Sequence, residues 1–162
     1  MNFAILHVGD PKEAYWISAF EEYKKRMAGR LTDISVKPAR IDDESSPAQI
    51  AAALKKEADS IEAALKSNGL DGAGTKKVAL CIEGRQYGSE EFAALLQGWA
   101  GSGSGGAVFI IGSSFGLSDR IKSRCERISF SKMTFPHQLA RIIAAEQIYR
   151  ADCILSNKRY HK

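Results

Sequence analysis

Cysteine is scarce in this chain. Cys81, Cys125 and Cys153 are odd in number, far apart and without CxxC spacing. That excludes a disulfide framework and argues against a zinc site, so a reducing, cytoplasmic setting with no metal is expected. No apolar run approaches the ~18 residues that a membrane helix needs. The opening Met1-Asn2-Phe3-Ala4-Ile5-Leu6-His7-Val8-Gly9-Asp10 has no basic n-region and meets an aspartate too early for a signal peptide. Also missing are a Walker-type GxxxxGK[ST] and a GxSxG nucleophile elbow. Gly101 to Gly106 matches GxGxxG in letters. It follows a helix pattern and enters a strand, the reverse of a dinucleotide fingerprint.

What is there is an ordinary globular composition. The 162 residues, 44% hydrophobic and 26% charged, fit one domain and rule out a disordered tail, a collagen-like repeat or a coiled coil. A chain this long can bury roughly two-thirds of its unfolded surface, enough to fold without a staple. Lys and Arg (23) exceed Asp and Glu (19), for a net charge of +4. That mild excess permits an RNA partner without demanding one.

Hydrophobic patterning alternates between two periods. Phe3, Ile5 and Val8 read as a strand ended by Gly9. Asp10-Pro11-Lys12-Glu13 then offers a cap, a first-turn proline and a capping-box acid for a helix carrying Trp16, Phe20, Tyr23 and Met27. Core packing is the expected role of those aromatics. Ile34 and Val36 alternate with polar residues, as in a strand with one wet face. Ser46-Pro47 opens a long amphipathic helix through Ile50, Leu54, Ile61 and Leu65, closed by Asn68-Gly69.

Val78 to Ile82 and Ala107 to Ile111 are continuous apolar runs, expected as strands covered on both faces, the first ending at Leu80 to Gly84. Between them Phe92, Leu95, Leu96 and Trp99 mark a helix. The Gly/Ser stretch from Gly101 to Gly106 is expected as a surface loop. Ser118-Asp119 opens a short helix, Ile128 to Phe130 a brief strand, and His137 a final helix of about fifteen residues. Its apolar face carries Leu139, Ile142, Ile143 and Tyr149, and Glu146 and Arg150 stand at i,i+4. A separate short run, Cys153 to Leu155, precedes the basic tail. The expected architecture is α/β, a mostly parallel sheet with helices on both faces.

Three segments stand out as candidate sites. Gly112-Ser113-Ser114-Phe115-Gly116-Leu117 follows a buried strand, where α/β sheets collect ligands and glycine lets a ligand approach the backbone. Phe130 to His137 puts two phenylalanines and a methionine in a connector. Such a loop could enclose a flat ring such as adenine while its backbone reads the ring's edge, or pack under its own helix. The tail, Arg159-Tyr160-His161-Lys162, combines cations with a stacking ring, as an RNA-facing arm would, although a frayed terminus has the same composition.

Ser129-Phe130-Ser131-Lys132-Met133-Thr134-Phe135-Pro136-His137-Gln138, Glu146-Gln147-Ile148-Tyr149-Arg150-Ala151 and Tyr160-His161-Lys162 together resemble the small bacterial rRNA methyltransferases called RlmH, minimal members of the SPOUT superfamily. The resemblance spans the whole chain. It implies one SPOUT domain over residues 1–162 with a C-terminal trefoil knot, working as a homodimer. It also implies S-adenosylmethionine as cofactor, held by Leu80, Gly112, Phe130, Ser131, Lys132, Met133, Thr134 and Phe135. The substrate would be a pseudouridine of 23S rRNA, methylated at N3 in the assembled 70S ribosome. His161 is the candidate base, Tyr160 an orienting or stacking ring, and Arg150 a group that stabilises negative charge or holds a phosphate. The family usually has Gly-Gly after the strand, where this chain has Gly112-Ser113. Three other readings stay open: a non-catalytic ribosome-binding or assembly factor, a tRNA methyltransferase of the same fold, and a flavodoxin-like nucleotide binder.

Overall fold

A computed structural model describes residues 1–160. Five parallel strands form one sheet in the order β2-β1-β4-β3-β5, with β1 at Asn2–Val8, β2 at Leu31–Val36, β3 at Thr75–Gln86, β4 at Gly106–Ile111 and β5 at Glu126–Ser129. The most continuously apolar strands, β1 and β4, lie inside, buried along nearly their whole length. Successive side chains alternate between two cores. Phe3, Ile5, Phe109 and Ile111 meet α1 (Ala14–Arg26), α3 (Ser89–Gly101) and α5 (His137–Leu155). Leu6, Val8, Val108 and Ile110 face α2 (Pro47–Ser67) and the single turn α4 (Asp119–Lys122). Helices on both faces of a parallel sheet is the architecture the sequence led us to expect.

Local chemistry explains several boundaries. Ser46 caps α2, its hydroxyl accepting from the Gln49 amide, with Pro47 in the first turn. Gly69, at φ +69°, lets the chain leave the helix in the left-handed region. Ser46→Ala is expected to cost about 1 kcal/mol. The urea midpoint checks this, since among the described residues the cap is the hydroxyl's one hydrogen bond.

Four expectations need correction. Asp10 and Pro11 do not start α1. The helix begins at Ala14, after Glu13, without a side-chain cap. The Gly9 amide is still bonded to the Val36 carbonyl (2.9 Å), so the chain remains tied to the sheet and needs four more residues to turn. β3 does not end at Leu80 to Gly84 but runs to Gln86. Its register on the four-residue β5 breaks between Leu80 and Arg85, which leaves Ile82 60% exposed rather than covered on both faces. Cys153 to Leu155 is not a separate run but the last turn of α5, whose end is held by Arg30 forked onto Asp152 (2.7 and 2.8 Å). The stretch 101–106 is only partly a surface loop, because Ser104 is buried with its amide on the Trp99 carbonyl (3.0 Å).

On α5 the fully buried residues are Ala144, Ala145, Ile148, Ala151 and Cys153, together with Gln138 and Arg141. Leu139, Ile142, Ile143 and Tyr149, the face expected from the pattern, are half-buried. No helix among the described residues is long and apolar enough to cross a membrane.

Candidate functional site

Parallel strands deliver all their carboxyl ends to one side of the sheet. There the segments following Leu80, Ile111 and Ser129 converge on one pocket of about 720 Å³. That is within the range of small-molecule sites. Its walls are mainly apolar, and its polar groups come from the backbone and a few side chains.

The segment after β4 is held by sterics. Gly112 is buried, and a Cβ there would overlap the Gly116 carbonyl and lie 2.9 Å from the Leu117 nitrogen. The chain folds back on itself because Gly116, at φ +80°, donates its amide to the Ser113 carbonyl (2.9 Å). Ser113 donates its hydroxyl to Glu57 (2.9 Å), and the other oxygen of that buried carboxylate accepts from the Ala39 amide (3.1 Å). The loop is thereby fastened to α2. Gly84 plays a matching part at β3, since a Cβ there would sit 2.5 Å from the Ile128 carbonyl carbon.

Residues 130–136 form the third wall. Ser129 donates its hydroxyl to the Ser131 carbonyl (2.8 Å), and the Met133 amide donates to the Ser131 hydroxyl (3.0 Å). Local bonds of this kind shape an irregular loop without a ladder. Across the mouth, Lys122 reaches Glu83 (2.7 Å) and Asp119 (3.0 Å). The Lys122 hydrogen bond holds the Glu83 carboxyl below its ordinary pKa. Burial, then the Glu83 charge, pushes the Cys81 thiol up, so it is protonated at neutral pH. His137 also lines the pocket, and burial followed by the charge of His7 lowers its pKa, leaving it neutral at pH 7.

Beneath the pocket, the first turn of α5 is locked to the sheet. The Gly9 carbonyl accepts from His7 Nδ1 (2.8 Å) and Gln138 Nε2 (3.2 Å). Asp33 on β2 accepts from Arg141 through Nε (3.0 Å) and Nη2, and lies 3.1 Å from His7 Nε2. The Arg141 guanidinium also sits 3.9 Å above the Phe20 ring.

Of the residues singled out for a cofactor, Leu80, Gly112, Phe130, Ser131, Met133, Thr134 and Phe135 line this pocket, and Lys132 does not. Two of the catalytic candidates, Arg150 and Tyr160, lie elsewhere in the fold. Arg150 and Tyr160 both bond Glu146 (Tyr160 at 3.2 Å), with the Arg150 guanidinium 4.9 Å from the Tyr160 ring and Tyr149 packed edge-on at 4.8 Å. Burial, then Tyr23, pushes the Tyr160 phenol up to about 12. Neither residue lines the pocket of its own chain, and His161 lies outside the described residues. Lys122 was not anticipated, Cys81, Ile82 and Glu83 only as part of the strand end Leu80 to Gly84, and His137 only as the close of the apolar connector. Glu83 and Lys122 are 39 positions apart, and only the crossing of β3 and α4 joins them. Among the described residues no three His, Cys, Asp or Glu side chains cluster to hold a metal.

A family model described as "Predicted SPOUT methyltransferase" matches residues 1–161. A protein of Exiguobacterium sp. named "Ribosomal RNA large subunit methyltransferase H" is 40% identical over 165 residues, covering 100% of both chains. A protein of the same name from Caldicellulosiruptor saccharolyticus is 44% identical over 159 residues, covering 98% of each. Among solved structures, a probable methylase family protein from Haemophilus influenzae Rd KW20 superposes at TM-score 0.58 with 16% identity, over 99% of this chain and 70% of that one. A probable methyltransferase from Bordetella pertussis Tohama I gives 0.51 at 16% identity, covering 93% of each. At such identities these two structures speak for the fold alone.

Proposed function

The chain belongs to the SPOUT methyltransferase family, and from that premise we propose that it transfers a methyl group from S-adenosylmethionine to large-subunit ribosomal RNA, at N3 of a pseudouridine in 23S rRNA of the assembled 70S ribosome. The observation that carries the reading is the pocket at the carboxyl ends of β3, β4 and β5, where Gly112 leaves bare backbone that no side chain could replace. Its donor set fits the cofactor. Phe130, Met133 and Phe135 offer apolar surface to a purine. Backbone groups at Leu80, Gly112 and residues 130–135 can meet its edge, and Ser131 and Thr134 add hydroxyls. When bound, S-adenosylmethionine supplies a methyl already activated by its sulfonium sulfur.

The protein's remaining task is to position the acceptor, which can supply several kcal/mol (~7–11 at the upper end) without a metal. The pseudouridine N3–H must lose its proton, and in this reading His161 accepts it. Tyr160 stacks on or orients the base, and Arg150 stabilises the anionic base or holds a phosphate. Arg150 and Tyr160 are already joined through Glu146, so they act as one unit. Because they stand away from the pocket of their own chain, the reading includes a homodimer in which the tail of one copy reaches the pocket of the other. The half-buried Leu139, Ile142 and Ile143 on α5 support it. Two chains would carry +8, from +4 each. A threaded C-terminus belongs to the same reading. What supports it is the path of the chain, which lays β5 outside β3 and returns through residues 130–136 to α5 against β1 and β4.

Labelled methyl transfer to unmethylated 70S ribosomes, with naked 23S rRNA and tRNA alongside, tests the proposal. N3-methylpseudouridine on ribosomes alone is expected. Label on tRNA instead would change the substrate. No label together with no cofactor binding would leave a non-catalytic ribosome-binding factor. His161→Ala is expected to lower kcat by about 10²–10⁴-fold with unchanged cofactor affinity. Full activity in both His161→Ala and Tyr160→Ala would remove the tail from the mechanism.

A further inference from the structure

Seven of the ten arginines, Arg26, Arg30, Arg40, Arg120, Arg124, Arg141 and Arg150, are ion-paired with carboxylates in the fold. Among the described residues, the three without a carboxylate partner are Arg85, Arg127 and Arg159. Arg159 lies in the C-terminal stretch. Arg85 and Arg127 come together at one place, the outer edge of the sheet beside the pocket mouth. β3 pairs Arg85 with Ile128, the residue after Arg127. Gly84 approaches the Ile128 backbone so closely that the two strands are fixed against each other.

Ile128 is buried on the α5 side, so its neighbour Arg127 projects from the opposite face. Its charge is accordingly felt at the Cys81 thiol in the pocket wall. Arg85 lies 4.8 Å over the ring of Tyr87, which fixes its guanidinium on the α3 side. The strand edge thus carries one arginine on each face. Three residues beyond Ser129, Lys132 is exposed, without a carboxylate partner, and outside the pocket that both its neighbours line. Ile82 and Met133 line the pocket and are 60% and 71% exposed. Of the nearby carboxylates, Glu83 is neutralised by Lys122, and Glu126 begins β5 at the end away from the mouth.

Unpaired guanidinium groups on a rigid edge are suited to forked bonds with phosphate oxygens, and exposed apolar side chains to a ribose or base face. We propose that Arg85, Arg127 and Lys132 form the surface that grips the RNA backbone on either side of the target nucleotide, with Ile82 packing against the nucleotide as it enters. The proposal rests on the rRNA reading above. It assigns the Lys132 side chain to the RNA phosphates and leaves to the cofactor only its backbone, which a glutamine there keeps.

The test compares the wild-type full chain with Arg85→Gln/Arg127→Gln/Lys132→Gln, and with Lys66→Gln/Lys76→Gln at the opposite end of the sheet. Binding to unmethylated 70S ribosomes is followed against salt, methyl transfer is measured kinetically, and S-adenosylmethionine affinity is measured by calorimetry. For the triple variant the slope of log K against log salt is expected to fall by about 2, as three lost phosphate contacts require. KM for ribosomes should rise on the order of tenfold. Cofactor affinity should stay unchanged, and the lysine pair should behave as wild type. A triple variant with wild-type slope and KM overturns the proposal and leaves the methyltransferase reading standing. Weakened cofactor binding in the triple variant would return Lys132 to the pocket and also overturn it. A wild type that binds cofactor but neither binds nor methylates ribosomes overturns the rRNA reading, and this surface with it.

Discussion

Gly112→Ala is expected to abolish measurable cofactor binding while Gly116→Ala only weakens it. The two glycines face each other across the same loop, but for different reasons. At Gly112 the added Cβ would occupy the space of the Gly116 carbonyl, so residues 112–117 must open. That overpacking is worth about 2–4 kcal/mol of stability. It also displaces the backbone groups that would read a purine edge, for a loss of roughly 100-fold or more in affinity. At Gly116 nothing lies within 4 Å of the new Cβ, and the cost is the left-handed φ of +80° alone. That is about 1–2 kcal/mol. Titration calorimetry with S-adenosylmethionine, with circular dichroism to confirm folding, separates the two. Wild-type affinity in Gly112→Ala would mean that the ligand does not touch this loop.

Arg141→Met is expected to cost about 3 kcal/mol or more, although methionine fills much of the same space, because it leaves Asp33 and His7 facing each other without the guanidinium. Converting Asp33 to asparagine in the same chain should recover part of the loss, since the pair acts as a unit. The cluster also sets the acid response. Burial pushes the Asp33 carboxyl up, but the close contacts with His7 and Arg141 outweigh it and hold the carboxyl below its ordinary value. A depressed native pKa means the unfolded state takes up the proton first. The stabilisation is therefore whole above the ordinary carboxylate pKa of about 4 and is lost as pH falls below it through the native value. Urea midpoints at pH 6 and pH 3 should show a smaller acid loss in Asp33→Asn than in the wild type. An equal loss in both would place the acid sensitivity elsewhere, for instance at Asp152, which Arg30 likewise holds low. Because the same cluster anchors Gln138 and the first turn of α5 under residues 130–136, the destabilised variants should also bind cofactor more weakly.

The parts legible in the residues were those governed by short-range rules. β4 is apolar along its whole length, and only a strand covered on both sides tolerates that. Ser46-Pro47 and Asn68-Gly69 carry both ends of α2 in their own chemistry. Gly112 and residues 130–136 could be picked out because a glycine after a buried strand and a connector rich in apolar side chains are unusual in a plain turn. The start of α1 misled because Asp10 and Pro11 satisfy the grammar of a cap, while the bond from Gly9 to Val36, a contact across strands, delays the turn.

By itself the sequence determined the alternation of strands and helices, the glycines and the family, because periodicity, capping and a ten-residue match are properties of neighbouring positions. The tertiary structure decided what depends on distant positions meeting. It extended β3 beyond Leu80, because after the break in register Arg85 and Gln86 pair again with Ile128 and Ser129. It buried Arg141 against Asp33, 108 positions away, and set Glu83 against Lys122 across the mouth. It also turned Lys132 out of the pocket that its neighbours line and left Arg85 and Arg127, on one edge, without a carboxylate partner among the described residues. Charges separated by tens of residues have no spacing rule to betray them, and only the packed chain brings them within reach of one another.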